Sequence, residues 1–249
     1  MQQIFVREED IEDGRIRVTG EDANHLGRAI RLKVGEKIRV STDAERNFIC
    51  EAVSFDSDAL TLQILEESED TEPANRIILF QAIPKGSRME TVIEKAVELG
   101  ASEIIPVDMK YCVVRLDEKK KESRVQRWQK IADGAARQSK RSQMPKVGPV
   151  LSFREAADRL LSLDISLVPY ENAQGAAYTM ELLRKIKPGQ SVGILIGPEG
   201  GFAPEEIDYV RDSKKAEVIS LGHRILRTDT AAIASMTLVM MASEEAVGV

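Results

Sequence analysis

Gly193-Ile-Leu-Ile-Gly-Pro-Glu-Gly-Gly-Phe202, followed at once by Ala203-Pro204-Glu205-Glu206, is the stretch from which the fold can be read. Val192 to Ile196 is a short apolar, β-branched run, the pattern of a strand buried on both faces. Pro204 and the two glutamates suit the first turn of a helix, where a missing N–H costs nothing and negative charge meets the positive end of the dipole. A glycine-rich loop therefore joins a strand end to a helix start, the place where open α/β sheets bind ligands. Gly197, Gly200 and Gly201 let the backbone come close to such a ligand. The loop is not a P-loop, because Phe202 and Ala203 stand where Lys-Ser or Lys-Thr is needed, and it lacks the Gly-x-Gly-x-x-Gly of a dinucleotide site. A tight turn without ligand is the competing reading.

On either side of this stretch, from Ile77 onward, strands and helices alternate, which predicts a parallel sheet covered by helices. Ile77 to Ile83 reads as a buried strand. Ser87 is placed to cap a helix with Met89, Val92, Ile93, Ala96 and Val97 in one stripe, stopped by Gly100. Ile104 to Val107 is the next strand, and Glu118 to Ser139 a long helix with Val125, Trp128, Ala132, Ala135 and Ala136 inward. Ser152-x-x-Glu155 is a capping box, Ile165 to Val168 a strand ending at Pro169-Tyr170, Met180 to Ile186 a helix, and Val218 to Leu221 the last strand. The final helix carries Ile233, Met236, Thr237, Leu238, Val239, Met240 and Met241, apolar nearly all round, so burial in the domain or against a second copy is expected.

The amino-terminal part reads differently. Ile4 to Val6, Arg15 to Val18, Lys37 to Val40, Phe48 to Val53 and Leu60 to Ile64 are short alternating runs broken by turn residues, with one helical patch of Ala23, Leu26, Ala29 and Ile30. That pattern predicts a small β-barrel over residues 1–72. Glu66 to Asn75, acidic and with Pro73, reads as the linker to a second domain over 73–249.

Net charge over the 249 residues is −6, yet residues 110–146 carry twelve Lys or Arg against four Asp or Glu. That local balance of +8 leaves −14 for the rest, and a compact basic face is the footprint of phosphate binding, with a solvated helix surface as the bland alternative. Cys50 and Cys112 are far apart, and with only His25 and His223 beside them no metal site is expected. No window is long and apolar enough to span a membrane, and Met1-Gln2-Gln3-Ile4 has no signal-peptide pattern, so a soluble protein of a reducing cytoplasm is expected.

Gly197-Pro-Glu-Gly-Gly-Phe, followed by Leu221-Gly-His-Arg-Ile-Leu-Arg-Thr-Asp-Thr-Ala231, resembles the knotted SPOUT methyltransferases, and within them the ribosomal RNA small subunit methyltransferase E family. Met89 to Gly100, the Ala136-Arg-Gln-Ser-Lys-Arg141 segment with Pro145, and His25 with Arg31 are similar to further signatures of that family, so the resemblance covers the whole chain. It departs at Asp229, where the family usually has Glu, and at Ile30, where leucine is usual.

The resemblance implies an α/β domain with a deep trefoil knot, behind an amino-terminal barrel of the PUA or OB kind. It implies methyl transfer from S-adenosylmethionine to N3 of a uridine in 16S rRNA, with the 16S rRNA or the 30S subunit as partner and a homodimer through the knotted domains. Pro169, Ile196, Gly197, Glu199, Gly200, Gly201, Leu221, Gly222, Ile225 and Leu226 would hold the donor. His25, Arg28, Arg31, Arg137, Gln138 and Arg141 would touch RNA. Uridine N3 carries a proton that must leave, which nominates Asp229 as base beside Arg227, against a role for Asp229 in capping the last helix. A SPOUT enzyme of other specificity, such as a ribose 2′-O-methyltransferase, and a non-catalytic RNA-binding protein are the alternatives.

Overall fold

The computed structural model describes residues 1–56, 59–171 and 175–248, without the side chains of Glu21, His25, Arg28 and Ala29. Contacts divide the chain into two units, Met1–Glu72 with Ala136–Met144, and Pro73–Ala135 with Pro145–Val249.

The first unit contains β1 (Gln2–Val6), β2 (Ile11–Glu12), β3 (Arg15–Thr19), α1 (Gly20–Asn24) continued by a π-helical turn through His25–Ile30, β4 (Lys37–Thr42), β5 (Asn47–Phe55) and β6 (Ala59–Glu67). The strands form one sheet in the order β1-β4-β5-β6-β3-β2, parallel only between β1 and β4. Alternation decides the faces: Ile16 and Val18 point into the core while Arg15, Arg17 and Thr19 are exposed. Leu26 of the helical turn closes the same core with Ile4, Ile38, Phe48 and Leu62.

Two features depart from the sequence reading. Residues 136–144, placed by sequence in the second domain, belong with the first unit. The acidic linker is not a loose tether, because β6 runs to Glu67 and Glu72 accepts hydrogen bonds from Arg141 Nε and from the amides of Ser142 (2.8 Å) and Gln143 (3.0 Å). This carboxylate of the linker instead satisfies buried and half-buried donors of residues 141–143.

The second unit contains β7 (Arg76–Ala82), α2 (Arg88–Glu98), β8 (Ala101–Asp108), α3 (Glu118–Ser139, whose last turn lies in the first unit), β9 (Lys146–Val147), β10 (Leu151–Ser152), α4 (Phe153–Leu160), β11 (Ile165–Pro169), α5 (Ala176–Leu183), β12 (Ser191–Ile196), α6 (Pro204–Asp212), β13 (Ala216–Ile219) and α7 (Thr228–Glu245). Its sheet is parallel throughout, in the order β10-β8-β7-β12-β11-β13, with β9 also on β8. β12 lies between β7 and β11, which is why Val192, Ile194, Leu195 and Ile196 are all buried and no polar alternation appears in the sequence. Asn75 ties the start of this unit to its end, donating to the carbonyls of Lys187 and Gln190 and accepting from Ser243 Oγ.

Several element ends shift from the sequence reading. β13 stops at Ile219, leaving Leu221 in the following loop, α5 starts at Ala176, and the two-residue strands β9 and β10 carry too little pattern to be read. Ser87 precedes α2 without a capping hydrogen bond, while the capping box of Ser152 and Glu155 forms. α7 buries Ala232, Met236 and Val239 on one face but leaves Met241 56% exposed and Ile233, Leu238 and Met240 half-buried. Cys50 and Cys112 are free and buried; desolvation pushes the Cys50 thiol up to about 12 and also raises that of Cys112. Among the described residues no helix is long and apolar enough to cross a membrane, and no group of three or more His, Cys, Asp or Glu could hold a metal ion.

Candidate functional site

A cavity of about 500 Å³ lies beyond the carboxyl ends of β11, β12 and β13 in the second unit. From β11 come Pro169, Tyr170 and Glu171; from β12 come Ile196, Gly197, Glu199, Gly200 and Gly201; after β13 come Leu221, Gly222, Ile225 and Leu226. All ten positions nominated to hold a donor are thus on one wall system. The three strands are sheet neighbours, so their loops converge although they are far apart in sequence.

The loop after β12 is fixed by chemistry at each turn. Gly201 has φ +73°, a conformation that L side chains rarely adopt. At Gly200 a Cβ would sit 2.9 Å from Tyr111 Cβ, so the close approach itself requires glycine. Glu199 Oε1 accepts from the Lys85 amide (3.0 Å) and from Arg88 Nη1 (2.8 Å), clamping the loop to the turn after β7. Glu206 is buried at the start of α6, taking the amide of Ala203 on one oxygen and that of Lys110 on the other, both at 2.9 Å. Tyr170 meets Phe202 edge to face with ring centroids 6.1 Å apart.

The loop after β13 is held at its far end. Thr228 Oγ1 donates to the Gly197 carbonyl (2.7 Å) and accepts from Gln81 Nε2 (2.9 Å), and both Thr228 and Gln81 are buried. Ile225, by contrast, is 86% exposed at the cavity edge. Its side chain is displayed at the cavity edge and is not packed into the core. Arg227 lines the cavity as well. Asp229 does not; it sits half-buried in the first turn of α7, with Oδ1 buried and without a hydrogen-bond partner among the described residues.

The six residues expected to touch RNA all lie in the first unit. Arg31 is exposed with φ +57° at the end of the π-helical turn, Gln138 is exposed, and Arg137 pairs with Asp22 at 3.6 Å. The side chains of His25 and Arg28 lie outside the described residues. Arg141 is a correction: it is only 3% exposed and its guanidinium is spent on Glu72, so it cannot reach a ligand at the surface. The basic segment is also partly neutralised, since Lys110, Arg115, Lys120, Lys121 and Arg127 are each ion-paired.

A family model described as an RNA methyltransferase domain matches residues 71–240. Ribosomal RNA small subunit methyltransferase E of Bacillus subtilis (strain 168) is 31% identical over 251 residues, 98% of this chain and 98% of that protein. The chain belongs to the ribosomal RNA small subunit methyltransferase E family. Among solved structures, the methyltransferase E of Neisseria gonorrhoeae bound to S-adenosyl methionine is 28% identical with a TM-score of 0.82, covering 97% of each chain. A putative methyltransferase of Legionella pneumophila in complex with the same cofactor is 28% identical with a TM-score of 0.81, covering 96% of this chain and 97% of that one. The mixed architecture of a parallel sheet and a largely antiparallel one in this chain matches these methyltransferase structures.

Sequence reasoning missed Gln81, Thr228, Tyr170 and Arg224, all of which build or border this cavity. Thr228 stood in the quoted Arg-Thr-Asp-Thr run and Tyr170 at a strand end, so both were within reach. Gln81 was one polar residue in a buried strand, and that contrast was its only signal.

Proposed function

We propose that this protein transfers a methyl group from S-adenosylmethionine to N3 of a uridine in 16S rRNA. The observation that carries the reading is the cavity at the ends of β11, β12 and β13, in a chain of this family. Its volume suits a ligand of drug size, and its wall of backbone edges with exposed Ile225 fits a flat heterocycle that needs apolar cover and a few hydrogen bonds. S-adenosylmethionine, when bound, supplies a methyl group carried on a positively charged sulfur. Gly197, Gly200, Gly201 and Gly222 would offer it backbone groups, and Ile196, Leu221, Ile225 and Leu226 apolar cover, with Pro169 at the rim. Glu199 serves through its clamp on Lys85 and Arg88.

The acceptor nitrogen must lose its proton. Asp229, whose buried Oδ1 has no hydrogen-bond partner among the described residues, is the base we assign, and Arg227 on the cavity wall stabilises charge developing on the uracil carbonyls. The first unit binds the RNA through Arg31, Arg137 and Gln138, together with His25 and Arg28, as a barrel of the PUA or OB kind. The partner is 16S rRNA or the 30S subunit, met in the cytoplasm. A trefoil knot is part of the same reading: after β13 at the sheet edge the chain returns as α7 against β7 and β12, with Thr228 bonded to Gly197. The half-covered apolar side of α7 supports a homodimer.

Mass spectrometry of 16S rRNA and of 30S subunits, each lacking the modification, after incubation with labelled S-adenosylmethionine tests the reading. One N3-methyluridine is expected. A methylated ribose would move the chemistry to the 2′ oxygen, and no transfer to either substrate would leave a binding protein.

A further inference from the structure

Tyr111 is 41% exposed and Val113 66% exposed in the turn after β8, and neither belongs to the donor cavity. Their exposure is not looseness, because the turn is pinned from several sides. Arg115 reaches back to Asp108 Oδ1 (2.6 Å) and to the carbonyls of Met109 (3.2 Å) and Lys110 (2.7 Å). The Lys110 amide is held by buried Glu206, and Cys112 bonds back to Met109. A rigid turn therefore displays an aromatic ring to solvent at no ordering cost on binding. Its place is specific: Gly200, a wall residue of the cavity, packs against Tyr111 Cβ so closely that no other residue fits there. Lys110 Nζ lies 5.9 Å from the ring centroid, and Lys85, exposed, has its amide on the Glu199 that neighbours Gly200.

An exposed, rigidly held aromatic ring beside a donor loop is the arrangement on which an unpaired base stacks. We propose that Tyr111 is a stacking platform for an unpaired nucleobase of the RNA substrate, next to the residue being methylated. The proposal rests on the reading of the protein as an rRNA methyltransferase. It fixes how the catalytic unit itself takes hold of RNA, a task so far given only to the first unit.

The test compares wild type, Tyr111→Ala and Tyr111→Phe in single-turnover methylation of unmodified 30S subunits, with donor affinity and melting temperature measured alongside. Losing one stacked base costs about 5- to 150-fold, so Tyr111→Ala should lower the second-order rate at subsaturating 30S by that factor, with a small effect at saturation. Tyr111→Phe keeps the ring and should stay within about threefold. Donor affinity and melting temperature should not move, and ultraviolet crosslinking should leave a nucleotide on the peptide Tyr111–Arg115 of the wild type. An unchanged rate for Tyr111→Ala, a fall matched by lost donor affinity, or a crosslink to a ribosomal protein in place of RNA would each overturn the platform. A wild type that methylates no RNA would instead overturn the underlying function.

Discussion

Thr228 shows how much of this site rests on hydrogen bonds within the protein itself. Its hydroxyl joins the Gln81 amide on β7 to the Gly197 carbonyl of the donor loop, so one side chain sets the distance between two strand ends and the start of α7. Thr228→Val keeps the shape but removes both bonds, leaving a buried amide donor short of a partner, a loss of about 1–3 kcal/mol. Calorimetry with S-adenosylhomocysteine should show weaker binding for Thr228→Val and near wild-type binding for Thr228→Ser. Asp229 is a different case, because its buried Oδ1 has no hydrogen-bond partner among the described residues. If it takes the proton, Asp229→Asn should slow single-turnover methylation by about 10² to 10⁴ while donor affinity and melting temperature stay put. An early-melting variant with an unchanged rate would make it a residue of the α7 first turn only.

Among the elements, β12 and α6 were legible because each obeys one dominant rule, a strand covered on both faces and a helix opened by proline and acid. The positions meant to hold the donor come together for a related reason: strand ends of a parallel sheet are neighbours, and glycines mark them. Contacts between distant polar residues left no such mark. Arg141 sat in a basic run and read as surface, yet it is buried against Glu72, whose own acidic run read as linker. Two misreadings thus had one cause, a long-range ion pair that no local pattern reveals. Arg141→Met should destabilise the protein by about 3–5 kcal/mol in urea unfolding, because Glu72 would stay buried without its cation. Arg31→Ala, at an exposed position, should leave unfolding unchanged and weaken RNA binding, with a shallower dependence of affinity on salt.

At the scale of the molecule, a net charge of −6 coexists with RNA binding only if the local field matters more than the total. The half-covered apolar side of α7 carries the other expectation at this scale. Light scattering at micromolar concentration should give twice the mass of one chain, and Met241→Glu should shift it toward the monomer. The first unit also has an unusual relation to chain order. It is left at Glu72 and completed only by Ala136–Met144, which bring Arg141 to Glu72 and Ser142 to Arg39. A nascent chain leaving the ribosome therefore exposes all six strands of the first sheet while Glu72 still waits for Arg141, some seventy residues further on. At about 5–20 residues per second that wait lasts several seconds, long enough to matter for a sheet with open edges. The first unit can therefore close fully only once residue 144 has left the exit tunnel.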